Sequence, residues 1–437
     1  MNSEIQRLTY KKIFTFWYPL AASWLMMAVE GPFLAAVIAR LPNSKFNLAA
    51  YGVAFSLALI MEAPIIMLLS TSTALGKDRD AFFKLWRFTF ALNSSITILM
   101  LITFIPPIFY FIAEHLIELP HDLAKLTHTA LILLLPWPAA IGFRRFYQGI
   151  LIRYNLTRRV AYGTIIRVTS MAISGLILSH LDIKGAFVGT ASLSIGVTME
   201  SIASRIMVRG AMKQLLQTSP SESNSDKQLT YSFITRFYYP LALMTILSLG
   251  VHPMVTFFMG KSHFAIESLA VLPVVNSLFF IFRSLGLSFQ EVVIALGGEY
   301  NEYYIPLRNF AFFLGLSVLT GAGIVAFTPL SKIWFHHISG LKIELAAFAY
   351  IPTRILMFLP PLTVLISLQR SVLVNIKKTA PISRATAIEV LSILGILYLT
   401  VSKFDFVGVT AAACAYTIGR LFANIYLLPY QFRAVRK

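Results

Sequence analysis

Long apolar runs separated by short polar stretches set the pattern of this chain. Twelve runs stand out, roughly 13–40, 47–74, 84–113, 127–152, 160–180, 184–208, 231–259, 266–296, 306–328, 346–369, 382–402 and 405–430. Each is about as long as a helix needs to be to cross a bilayer. Hydrophobic residues make up 57% of the 437 and charged residues only 13%. No water-soluble fold can bury that much apolar side chain, so the expected class is an all-α integral membrane protein with twelve transmembrane helices. The first run holds Glu30 and Pro32 and has no small-residue cleavage site, so it reads as a first span and not a signal peptide.

The pattern occurs twice. Shifted by 221 positions, Phe16, Tyr18, Pro19, Leu20 and Ala21 fall on Phe237, Tyr239, Pro240, Leu241 and Ala242. In the same register Pro32 meets Pro253, and Ala74, Leu75 and Gly76 meet Ala295, Leu296 and Gly297. A constant register that includes prolines indicates duplication rather than shared composition. The expected domains are a six-helix lobe at 1–212, a polar, Ser-rich cytoplasmic linker at 213–230 and a second six-helix lobe at 231–437. An even number of spans per copy inserts both the same way up, with pseudo-two-fold symmetry along the membrane normal.

The net charge of +18 changes the picture only through its location. With the N-terminus on side one, most Lys and Arg are assigned to side one, in its connections or the span ends beside them, among them Lys11, Lys12, Lys77, Arg144, Arg145, Arg158, Arg159, Arg205, Arg370, Lys377 and Lys378. That bias is the positive-inside signal. It predicts a multi-pass protein of the plasma (inner) membrane with both termini cytoplasmic and its basic faces against lipid headgroups. Nucleic acid is not an expected partner.

Cys414 is the only cysteine, which excludes an internal disulfide and a cysteine metal cluster. Gly260-Lys261-Ser262 lacks the upstream glycine of a phosphate-binding loop, and no HExxH, GxSxG or dinucleotide fingerprint occurs. No catalytic residue, resident metal or cofactor is expected, and the chain does not read as an enzyme. In Gly76-Lys77-Asp78-Arg79-Asp80 a glycine followed by charge reads as a helix stop.

The informative residues are ionisable groups inside spans, each costing several kcal/mol unless paired or hydrated. Glu30, Glu62, Arg167 and Glu200 lie in the first half; Arg283, Glu291, Arg354, Glu389 and Arg420 lie in the second. The signs differ between copies: Glu62 aligns with Arg283 and Arg167 with Glu389. One lobe is thus expected to handle a coupling ion and the other to gate or bind substrate. Glu30, Glu62 and Glu200 are the coupling candidates. Glu30 is the foremost, because Pro19 and Pro32 free carbonyls in the same span and predict a bent helix where a proton or Na⁺ can bind. The competing reading pairs Glu30 with an arginine such as Arg167 to fasten spans together. Pro240 and Pro253 predict the matching bend in the second copy, beside His252. Trp24, Met27, Met61, Arg167, His252, Asn276, Arg283 and Glu389 are candidate cavity residues, set against plain core packing or helix-to-helix hydrogen bonding.

A proline early in span 1, the end Ala39-Arg40-Leu41, Leu48-Ala49-Ala50 opening span 2, and the repeat of this pattern six spans later resemble the MOP superfamily, most of all the MATE (multidrug and toxic compound extrusion) transporters. The resemblance implies a V-shaped pair of lobes that exports a small, cationic, amphipathic solute in exchange for Na⁺ or H⁺, as a monomer. The family's acidic residue falls at Leu34, whereas this chain carries Glu30 one turn earlier. The same superfamily offers alternatives: exporters of anions such as pyrophosphate or citrate, and flippases of lipid-linked saccharides.

Overall fold

The computed structural model describes residues 8–116, 119–217, 229–298, 300–339, 341 and 343–436. Within them are twelve helices long and apolar enough to cross a membrane. They are α1 (Tyr10–Ala39), α2 (Phe46–Leu75), α3 (Arg79–Thr103), α4 (His121–Arg153), α5 (Thr157–Ser179), α6 (Gly185–Met207), α7 (Tyr231–Gly260), α8 (Glu267–Leu296), α9 (Tyr304–Phe327), α10 (Ile343–Asn375), α11 (Ala380–Ser402) and α12 (Gly408–Val435). No strand occurs among the described residues. Most of the expected linker, 218–228, lies outside the described residues, and its first residues continue a short helix, Arg209–Gln217.

The duplication shows in the irregularities as well as in the sequence. A π-helical turn at Phe111–Leu116 has a counterpart at Ile333–Ile338. α4 is interrupted between Ile132 and Pro136, and α10 between Leu356 and Leu359, in each case next to prolines that cannot supply a backbone N–H. α1 and α7 remain helical through Pro19, Pro32, Pro240 and Pro253.

One irregularity is not duplicated. α2 tightens into a 3₁₀ turn at Ala63–Ile65, directly after Glu62, whereas α8 is helical throughout. Pro64 accounts for the difference, since its ring removes an N–H from the ladder; the aligned residue in α8 is Leu285.

Two compact units emerge, one formed by 26–246 and the other by 1–25 with 247–437. The core of the first gathers Leu34, Ile38, Ala54, Ile65, Met100, Trp137 and Met171. That of the second gathers Val255, Val275, Phe279, Phe335, Ala349 and Ile393. The first turns of α1 and α7 each join the unit built mostly from the other copy's spans. Trp17 donates its indole N–H to the carbonyl of Leu285 at 3.2 Å and to Ser288 at 2.9 Å. At the aligned position, Tyr238 donates its hydroxyl to the carbonyl of Pro64.

Glycines set the closest helix contacts. A Cβ on Gly196 of α6 would lie 2.9 Å from the carbonyl oxygen of Arg167 in α5. One on Gly419 of α12 would lie 3.0 Å from that of Glu389 in α11. In both copies, then, a sixth-span glycine lies against the backbone carbonyl of the fifth-span residue that carries the intramembrane charge.

Candidate functional site

In the 26–246 unit, side chains from α1, α4, α5 and α6 converge on one buried ionic network. Arg167 of α5 donates through Nη2 to Glu30 Oε2 of α1 at 2.5 Å. Its Nη1 lies 3.7 Å from Glu200 Oε2 of α6. Glu200 is held more closely by Arg144 of α4, at 2.5 Å, and also accepts from Gln148 at 3.0 Å and Thr164 at 3.3 Å. Glu200 is 0% exposed, Arg144 2% and Glu30 6%. Among the described residues Glu30 Oε1 has no hydrogen-bond partner, although buried.

Glu62 of α2 stands apart in kind. Its carboxylate accepts from a neutral donor, the indole of Trp137, at 2.9 Å. The same indole ring lies beneath the Arg167 guanidinium at 5.8 Å, so Trp137 links the two acidic sites. The 3₁₀ turn that follows Glu62 exposes carbonyls, and two of them are taken: Tyr238 donates to Pro64 and Thr245 to Ala63, the latter at 2.6 Å.

Glu30, Glu62, Arg167 and Glu200, singled out by their place inside apolar runs, come together in one unit. The pairing of Glu30 with Arg167, the competing reading of that carboxylate, is present. Leu34, where the MATE pattern puts its acidic residue, is 0% exposed in the apolar core. Met27 touches Arg167 through sulfur at 3.9 Å, Met61 packs half-buried against the core, and Trp24 is half-buried in the other unit. Arg144, expected among the side-one charges, is instead buried inside α4. Its signal was Gln148 four residues on, which puts two donors on one helix face.

The unit containing 247–437 carries the opposite balance. Arg420 of α12 donates Nε to Glu389 Oε1 of α11 at 2.7 Å, and Arg370 of α10 approaches Oε2 at 3.9 Å. Arg420 also reaches Thr363 at 3.3 Å, and Arg370 reaches Thr386 at 3.1 Å. Arg370, like Arg144, is a helix residue and not a connection charge. Arg283 of α8 lies half-buried near Arg420, Glu389 and Tyr416. His252 Nδ1 and Tyr416 Oη are 3.5 Å apart. Asn276 is half-buried one stretch earlier on α8, and Arg354 is exposed, its guanidinium 5.4 Å from the centre of the Phe327 ring. Among the described residues no group of three or more His, Cys, Asp or Glu is placed to hold a metal ion.

No protein-family model and no curated protein matches the chain. Solved structures do. An outward-facing multidrug resistance MATE family transporter of the MOP superfamily superposes with a TM-score of 0.79 at 16% identity, covering 98% of this chain and 96% of that one. This chain has the MATE fold. A MOP superfamily transporter from Pyrococcus furiosus, described as having a binding pocket of reverse polarity that suggests a different function, superposes equally at 0.79, with 16% identity over 98% and 97% of the two chains. A Vibrio cholerae MATE transporter gives 0.72 at 15% identity over 98% and 97%. At such identities the MATE fold is what is shared, and this chain's function must come from its own side chains.

Proposed function

We propose that the protein is a secondary active transporter working by alternating access, with H⁺ or Na⁺ exchanged at the carboxylates of the 26–246 unit. The observation that carries this reading is the position of Arg167 between two carboxylates, 2.5 Å from Glu30 and 3.7 Å from Glu200. A proton or Na⁺ arriving at Glu30 competes with that guanidinium for one negative charge. When the ion wins, Arg167 still has Glu200 within reach, so its charge is never left bare in a low-dielectric interior. The same ion pair that fastens α5 to α1 thereby becomes a contact that ion binding can loosen. Glu62, held by an indole instead of a cation, is the second carboxylate open to an ion.

In this reading the two lobes rock, the termini are cytoplasmic, the membrane is the inner one, and a monomer suffices. The MATE fold makes export of an organic cation or drug the starting expectation for cargo. No cofactor is required beyond the coupling ion.

The test is efflux from everted vesicles under an imposed H⁺ or Na⁺ gradient, with ethidium as the probe cation. E30Q is expected to lose gradient-driven efflux while keeping its folded yield and melting temperature. Efflux equal to the parent's removes Glu30 from the mechanism.

A further inference from the structure

We propose that the unit containing 247–437 holds an oxyanion site centred on Arg283, taking the carboxylate or phosphate of a small soluble solute. This rests on the transport reading above and gives it an anionic cargo in place of the cation expected from the MATE fold. Arg283 lies near the middle of α8, where a cation facing lipid is costly and a polar counterpart is required. Yet no hydrogen bond or ion pair holds its guanidinium among the described residues, and its Nε is buried without a partner.

The neighbouring carboxylate cannot serve. Glu389 accepts from Arg420 at 2.7 Å and faces Arg370 at 3.9 Å, so two guanidinium groups already draw on one negative charge. Glu291, about two turns further along α8, has partners of its own. Three arginines, Arg283, Arg370 and Arg420, therefore surround one glutamate, leaving positive charge uncompensated inside spanning segments.

Beside Arg283 stand two groups suited to completing an anion cradle. Tyr416 is a hydroxyl donor, and His252 is exposed with its Nδ1 3.5 Å from that hydroxyl. A planar guanidinium with free N–H groups matches a carboxylate or phosphate in two parallel hydrogen bonds. The other copy supplies a contrast. At the aligned place there stands Glu62, with Trp137 as its donor; here the glutamate is an arginine and the aligned indole is Phe358, which donates nothing. The second half keeps the frame and reverses the sign.

The experiment measures equilibrium binding of succinate and inorganic phosphate to the purified full-length protein by calorimetry, in detergent and in phosphatidylcholine nanodiscs, without any gradient. Saturable binding of at least one anion is expected. It should weaken about tenfold or more in R283Q, the scale for losing a charge-assisted pair, and several-fold in H252Q, both variants being required to keep the parent's folded yield. The proposal is overturned if neither anion binds the parent saturably, or if the R283Q protein folds and binds as the parent does. It is overturned equally if H252Q binds as the parent does, or if phosphatidylglycerol nanodiscs abolish both anions' binding, which assigns the site to a lipid headgroup. Because no ion gradient enters, this result stands or falls separately from the E30Q efflux test.

Discussion

Tyr238 donates its hydroxyl to the carbonyl of Pro64, two residues past Glu62. That carbonyl belongs to the 3₁₀ turn at Ala63–Ile65, and Thr245, two turns further along α7, takes the carbonyl of Ala63. The first turns of α7 thus seal a break in α2 that Pro64 creates. Trp17 makes the aligned contact to Leu285, where α8 has no break to seal. Y238F removes a buried donor and leaves the carbonyl dry, so it should cost about 1–2 kcal/mol. Thermal unfolding in detergent, compared with Y239F at an exposed neighbour, checks this; equal melting temperatures for the two variants contradict it.

Arg167 predicts a strong non-additivity. R167M leaves the Glu30 carboxylate buried without its cation, while Glu200 keeps Arg144, and should destabilise by about 3–5 kcal/mol, as breaking a buried pair does. Adding E30Q to R167M removes the stranded charge and should restore a good part of that loss, whereas adding E389Q, in the other unit, should restore none. A double-mutant cycle on denaturation midpoints reads the coupling, and additive effects of R167M and E30Q contradict the shared network.

Gly196 and Gly419 should respond alike despite standing in different halves. A valine at either must displace a neighbouring backbone carbonyl, and overpacking of this kind costs about 1–3 kcal/mol or more. G196V should in addition disturb the Arg167 contact to Glu30, so it should impair ion coupling where G419V impairs only stability. At Gly250 a Cβ would meet nothing within 4 Å, so alanine should be accepted there without loss of yield.

Asp78 opens α3 by accepting from the Ala81 N–H at 2.9 Å, so the charged stretch after Gly76 begins a helix as well as ending one. D78A should cost about 1 kcal/mol and D78N much less. Melting temperatures of the two variants separate loss of the cap from loss of charge; equal losses contradict a capping role.

The spans and the duplication were legible because apolar length and a constant register are properties of sequence alone. Glu30, Glu62, Arg167 and Glu200 were legible as well, since a charge inside an apolar run is conspicuous. Arg144 and Arg370 were not: both stand near span ends, where position along the chain cannot separate a buried guanidinium from a headgroup contact. α1 stays helical through Pro19 and Pro32, while the interruption beside a carboxylate is made by Pro64 in α2. Which proline breaks a helix depends on whether packing resupplies the lost hydrogen bond, and that is decided by distant residues such as Tyr238 and Thr245.

The central claim is that an ion displaces Arg167 from Glu30. Infrared difference spectroscopy of the purified protein, on a pH jump and on Na⁺ addition, reports carboxylate changes without any substrate. The account predicts a difference band in the parent that E30Q removes and E389Q leaves in place. A band that survives E30Q unchanged contradicts it.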